Sequence, residues 1–156
     1  MAIGRLDMAS EGLLLLTTDG KVSAQVRSKS VEKEYLAQVH GIITQQSCKK
    51  LSEGVGIQIN GQTYTTLPCE AKLSEPPNYL GPNPRGERHP KHGPCSWVRI
   101  TLTEGKFRQV RKMTAAVGHP TLRLIRIRVG EEQLEGLDQG QAKEVNSFQL
   151  DYRKKL

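Results

Sequence analysis

Hydrophobic and polar positions alternate most cleanly in the C-terminal half of the chain. Val98, Ile100 and Leu102 alternate with Trp97, Arg99 and Thr101. That period of two predicts a strand over 96–103 with one face in a core and one face wet. A second run, Leu122 to Val129, sets Leu122, Leu124, Ile125, Ile127 and Val129 against Arg123, Arg126 and Arg128. Its alternation slips between Leu124 and Arg126, which predicts a bulge or bend there. Between the two runs, Phe107, Val110, Met113, Ala116 and Val117 recur at helical spacing. They predict a helix over 106–117 that stops at Gly118, with Arg108, Arg111 and Lys112 on its other face.

Upstream, Leu13 to Thr17 reads as a short buried strand ending in the turn Thr18-Asp19-Gly20. One or two helical turns follow over 21–27, then a strand over 34–40 rich in Tyr, Leu and Val. Thr44 has the chemistry of an N-cap for a helix that would end near Gly54. Asn60-Gly61, flanked by apolar and β-branched residues, predicts a hairpin because both residues tolerate positive φ. A further strand is expected over 67–73. The stretch 75–94 holds six prolines, which predicts a long basic loop and no regular element. No repeat, low-complexity tract or linker divides the 156 residues, a length that suits one domain with its own core.

Charge changes the picture by where it lies. The chain carries a formal +7. From Gly81 to Arg128 there are eleven Lys or Arg and two acids, so this segment holds +9 and the remainder −2. Such a concentrated excess suits a surface that follows a phosphate backbone, or simply a well-solvated basic face. Aromatic residues are few, which disfavours reading single strands mainly by stacking. Three widely spaced cysteines argue against a disulfide framework and for a reducing, cytoplasmic compartment. No apolar run is long enough to cross a membrane, so no membrane partner is expected.

Three segments offer chemistry. In Gly4-Arg5-Leu6-Asp7-Met8-Ala9-Ser10-Glu11-Gly12, a carboxylate sits on a loop leading into an apolar strand, with Arg5 two residues away. Spacing alone is better met by a turn with an ordinary Arg–Asp pair. In Lys33-Glu34-Tyr35, the tyrosine opens a strand and could be a core or rim residue. In Glu104-Gly105-Lys106-Phe107-Arg108-Gln109-Val110-Arg111-Lys112-Met113, cations cluster where a helix begins. Free N–H groups and basic side chains there would suit an anion. A basic amphipathic surface helix fits the same pattern. His89, His92 and Cys95 are a local metal-ligand set of only three, within an ordinary Pro-rich loop, and no metal is expected.

Taken together and in this order, the three segments resemble the pseudouridine synthases of the RsuA/RluB/RluE/RluF family. Val117-Gly118-His119-Pro120-Thr121-Leu122-Arg123 extends the resemblance, which runs from Ala2 to about Val145. The Pro-rich loop before Ser96-Trp97 is most similar to the RluE branch. Members of that branch modify large-subunit ribosomal RNA and lack the S4 RNA-binding domain. The resemblance implies an α+β fold: a mixed, mostly antiparallel sheet with a few flanking helices. It places one catalytic domain over 1–150 and leaves 151–156 as a basic tail. Family members carry a Lys-Pro strand ahead of the Gly-Arg-Leu-Asp motif. That strand is missing here, so an N-terminally shortened chain is expected. Phe107 departs from a small polar residue common among relatives.

The function implied is isomerisation of a specific uridine in RNA, ribosomal by the branch resemblance, without a cofactor. Pseudouridine formation needs a carboxylate nucleophile at the ribose, a base for the C5 proton, and a cation that orients the carboxylate. The resemblance assigns these roles to Asp7, Tyr35 and Arg111, with Arg108 as the alternative cation. RNA contacts are expected from Arg5, Lys33, Lys106, Arg108, Lys112, Arg123 and Arg126, by a monomer. The competing reading is a non-catalytic RNA-binding or ribosome-assembly module.

Overall fold

A computed structural model describes residues 1–151. Positions 152–156, with most of the expected basic tail, lie outside the described residues. The chain opens with β1 (Glu11–Gly12), followed by α1 (Gly20–Arg27), β2 (Lys33–His40) and α2 (Gln45–Glu53). A hairpin of β3 (Gly56–Ile59) and β4 (Gln62–Thr65) leads to β5 (Glu70–Ser74). After the long loop come β6 (Cys95–Leu102), α3 (Gln109–Ala116), β7 (Thr121–Val129) and β8 (Glu132–Gln133).

Local chemistry sets most of these ends. Asp19 caps α1 by accepting the Lys21 N–H at 2.8 Å, and Thr44 caps α2 by accepting that of Ser47 at 3.1 Å. Each satisfies an orphan donor of the first turn. Asn60 and Gly61 take φ values of 50° and 76°, the positive pair a tight two-residue hairpin turn needs.

The main sheet runs β1-β7-β2-β6-β5, with β8 paired to β7. Only β1 lies parallel to its neighbour; the other ladders are antiparallel. The fold is therefore α+β with a mixed, mostly antiparallel sheet, as expected. Ala37, Val39, Val98, Ile100 and Leu124 form one sheet face, packed with Leu51 of α2 and Met113 of α3. Leu36, Ile125 and Ile127 form a cluster of their own, with Trp97 packed against it. Leu36, Leu51, Ile100 and Met113 are all fully buried, each contributing about 1.5–3 kcal/mol of burial free energy.

Four local expectations are corrected. Regular pairing in the first segment is confined to Glu11–Gly12; in the run after it Leu13 and Leu15 are buried while Leu14 and Leu16 face outward. The loop over 75–94 contains one 3-10 turn, Pro90–His92, which proline at its first position permits. Helix α3 begins at Gln109, three residues late, because Arg108 adopts a left-handed conformation (φ 51°, ψ 34°). Finally, the arginines of β7 are not on a wet face. Its pairing with β2 skips a residue at Leu122 and again at Ile127, and Arg123, Arg126 and Arg128 are all buried.

Candidate active site

Asp7 lies in a tight turn closed by the Ser10 N–H donating to the Asp7 carbonyl at 2.8 Å. The segment after that turn is fastened to β7. Glu11 pairs opposite Ile125 and Gly12 opposite Arg126. Gly12 has φ 117°, and a Cβ there would stand 2.2 Å from the Arg126 carbonyl oxygen, so only glycine permits this approach. Arg126 donates to the Leu13 carbonyl from Nε and Nη2 at 2.9 and 2.7 Å. Arg123 grips both carboxylate oxygens of Glu11 at 2.8 and 2.9 Å. The buried arginines thus fix the strand that follows the Asp7 turn.

The opposing wall is the turn 104–108. Glu104 is buried, and its carboxylate accepts from the Leu67 N–H at 2.7 Å, from Gln109 Nε2 at 2.8 Å and from the Tyr64 hydroxyl. That hydrogen bond, then burial and the nearby charge of Glu104, push the Tyr64 phenol pKa up. The Gln109 amide also accepts the Lys106 N–H at 3.1 Å. The turn is therefore braced from both ends. It presents Arg108, whose Nη1 lies 3.1 Å from Asp7 Oδ2. The sequence pointed to Glu104 as one of two acids in a basic segment and as the first residue of the motif before the helix, with no role of its own. Its bracing role depends on partners far along the chain.

The ion partner of Asp7 is thus Arg108. Arg111 reaches the same loop at other points, donating to the Ala9 carbonyl at 2.9 Å and to Ser10 Oγ at 3.3 Å. Its Nε is buried without a hydrogen-bond partner among the described residues. Burial and then the like charge of Arg108 press the Arg111 pKa down, while Asp7 acts against them.

Between these walls lies a cavity of about 330 Å³ whose lining includes Asp7, Lys33, Tyr35, Phe107, Arg108 and Arg126. Tyr35 stands in β2 opposite Ile100 on one side and Arg126 on the other, just after the register shift at Glu34. Such an irregularity re-aims side chains. Here Glu34 meets Arg99 and Arg128 while Tyr35 lines the cavity. Lys33 donates to the Ser28 carbonyl at 3.1 Å. Burial, aided by Arg126, pushes its ammonium pKa down to about 8.

Of the other expected RNA contacts, Arg5 and Lys106 line the cavity. Lys112 lies outside it, donating to the Gln58 carbonyl at 2.8 Å. Arg123 and Arg126, 7% and 9% exposed, are consumed by Glu11, Leu13 and the Gly81 and Pro82 carbonyls. No group of three or more His, Cys, Asp or Glu among the described residues is placed to hold a metal ion.

The family model for RNA pseudouridylate synthase matches residues 1–116. The chain belongs to the RNA pseudouridylate synthase family. It is 43% identical to a ribosomal large subunit pseudouridine synthase E of Vibrio parahaemolyticus over 92% of this chain and 59% of the relative. A synthase of the same name from Xanthomonas axonopodis is 39% identical over 87% of this chain and 70% of the relative. The synthase B of Yersinia pestis is 36% identical over the whole chain and 44% of its own length. The chain thus spans about six-tenths of the length of the synthase E from Vibrio parahaemolyticus. Among solved structures, a pseudouridylate synthase superposes with a TM-score of 0.66 at 27% identity, over 86% of this chain and 50% of that one. Human RNA pseudouridylate synthase domain containing 1 shares the fold, with a TM-score of 0.55 at 17% identity over 85% of this chain and 64% of that one.

Proposed function

We infer that this chain converts a uridine of RNA to pseudouridine, with Asp7 as the nucleophile. One observation carries the reading: the Asp7 carboxylate is held by Arg108 at a cavity that Tyr35 also lines. The reaction breaks the bond from ribose C1′ to uracil N1 and forms one from C1′ to C5. N1 gains a proton and C5 loses one, so no atom is gained or lost overall. Asp7 either attacks C1′ or assists elimination at the sugar. Tyr35, on the cavity wall, serves the ring as the base for the C5 proton. Arg108 orients the carboxylate, a role the family motif placed first on Arg111. Arg111 then acts on the loop backbone around Ala9 and Ser10. No metal or cofactor is called on.

The target must leave its stack to enter such a cavity, at a cost of a few kcal/mol. Phosphate contacts from Arg5, Lys106 and Lys112 offset that cost. The names of the relatives favour large-subunit ribosomal RNA as substrate. The chain would act as a monomer in the cytoplasm. No helix among the described residues is long and apolar enough to span a membrane.

The test uses ribosomal RNA transcripts labelled with tritium at uridine C5, whose release reports C5 deprotonation. Release from the large-subunit transcript, and little from the small-subunit one, is the expected result. Tight binding to both without release would instead favour a non-catalytic RNA-binding module.

A further inference from the structure

Phe107 is 56% exposed, in a protein with only two phenylalanines. It does not belong to any apolar cluster of the core. It lines the same cavity as Asp7 and Tyr35. Its position is fixed by its neighbours. Before it, the Lys106 N–H is held by the Gln109 amide, itself tied to buried Glu104. After it, Arg108 is held in its left-handed conformation while its guanidinium pairs with Asp7. The turn therefore displays an apolar ring to solvent next to the nucleophile.

Two cations flank that ring. The Arg5 guanidinium carbon lies 5.7 Å from its centroid and the Lys112 ammonium 5.2 Å. Cations over an exposed ring are weakly held, and the other contact of Lys112, to the Gln58 carbonyl at 2.8 Å, is itself exposed. Each can exchange the ring for a phosphate, which leaves a ring face open to a flat partner. An aromatic face between two phosphate-seeking cations is the arrangement that binds an unstacked nucleobase and its backbone together. Extruding a uridine from its stack leaves the adjacent base without a neighbour.

We propose that Phe107 is a stacking subsite for the RNA base next to the uridine that enters the Asp7 cavity, with Arg5 and Lys112 on its flanking phosphates. This rests on the reading of the cavity as a uridine site. The base on Phe107 is recognised by its π-face, so the subsite adds affinity and register and tolerates different bases.

Stacking and charge separate experimentally. The probes are a 12-nucleotide oligouridylate and an abasic ribose-phosphate strand of equal length and charge. The wild type should prefer the oligouridylate. Phe107→Ala should lose about 5- to 150-fold on the oligouridylate and little on the abasic strand. The slope of log affinity on log salt should not change, because no charge is removed. Phe107→Trp should keep the preference. Phe107→Leu, which retains apolar bulk without a flat face, should lose it. The proposal is overturned if the wild type binds both strands equally, if Phe107→Ala binds the oligouridylate as the wild type does, or if its loss is equal on both strands. Tritium release by the wild type from the large-subunit transcript tests the uridine-site reading separately. Release with no stacking effect sinks only this proposal, and a stacking effect without release sinks only the catalytic reading.

Discussion

Asp7 and Arg108 are both partly exposed, with side-chain exposures of 21% and 40%. A pair so placed contributes about 0–1 kcal/mol to stability. Yet Arg108 occupies a left-handed backbone conformation that disfavours a non-glycine residue. An arrangement with so little gain in stability makes sense if its product is orientation. Arg108→Ala should therefore leave thermal unfolding almost unchanged and lower kcat about 100-fold, the scale expected when a reacting group is misplaced by about 1 Å. Single-turnover rates beside a melting curve check this. A large loss of stability with normal turnover would assign Arg108 to the fold instead. The sequence carried the residue but not this geometry. The spacing of Arg108 and Arg111 fits one helix face, whereas the partner that pulls Arg108 out of the helix is about a hundred positions away.

At the scale of elements, two arms fix the site: the β1 segment clamped to β7, and the braced turn before α3. The first depends on a close backbone approach. Gly12→Ala would press a methyl into the Arg126 carbonyl and force an L-residue into φ 117°. A loss of about 1–3 kcal/mol is expected from the strain alone, with the Asp7 turn displaced and activity reduced more than stability. Denaturant unfolding and tritium release on the same variant check both. What was legible at this scale follows a physical rule. The α2 caps, the 60–61 hairpin and the β6 alternation are written in neighbouring residues. The β7 strand was also visible, but not the fate of its arginines. Alternation says that Arg123, Arg126 and Arg128 share a pattern. It cannot say that Glu11, the Leu13 carbonyl, Glu32 and Glu34 lie waiting for them. The strand expected over 13–17 does not form as a regular element: beyond β1 the run makes one isolated bridge, Leu16 with Ala2, and an apolar run does not reveal what will lie beside it.

For the whole molecule, this burial redistributes the charge. Of the cations from Gly81 to Arg128, Arg123 and Arg128 meet acids and Arg126 a carbonyl inside the fold, and half-buried Arg99 meets Glu34. On the proposed function, the set left to face phosphate is correspondingly smaller, with Arg5 and Lys106 at the cavity itself. Lys106→Ala should then reduce the salt slope of binding to single-stranded RNA by about 0.7. Arg126→Ala should leave the slope unchanged and cost several kcal/mol of stability through lost packing and an unpaired Leu13 carbonyl. Salt titrations and unfolding curves for the two variants distinguish these outcomes. Equal slope losses would return Arg126 to the RNA surface.

On the proposed function, the Asp7 carboxylate performs the chemistry in a cavity that binds RNA without needing it. The most direct measurement is tritium release from a C5-labelled large-subunit ribosomal RNA transcript by Asp7→Asn, beside its affinity for the same RNA. The expected result is no release above background, with affinity within a few-fold of wild type. Release at the wild-type rate from Asp7→Asn would contradict it.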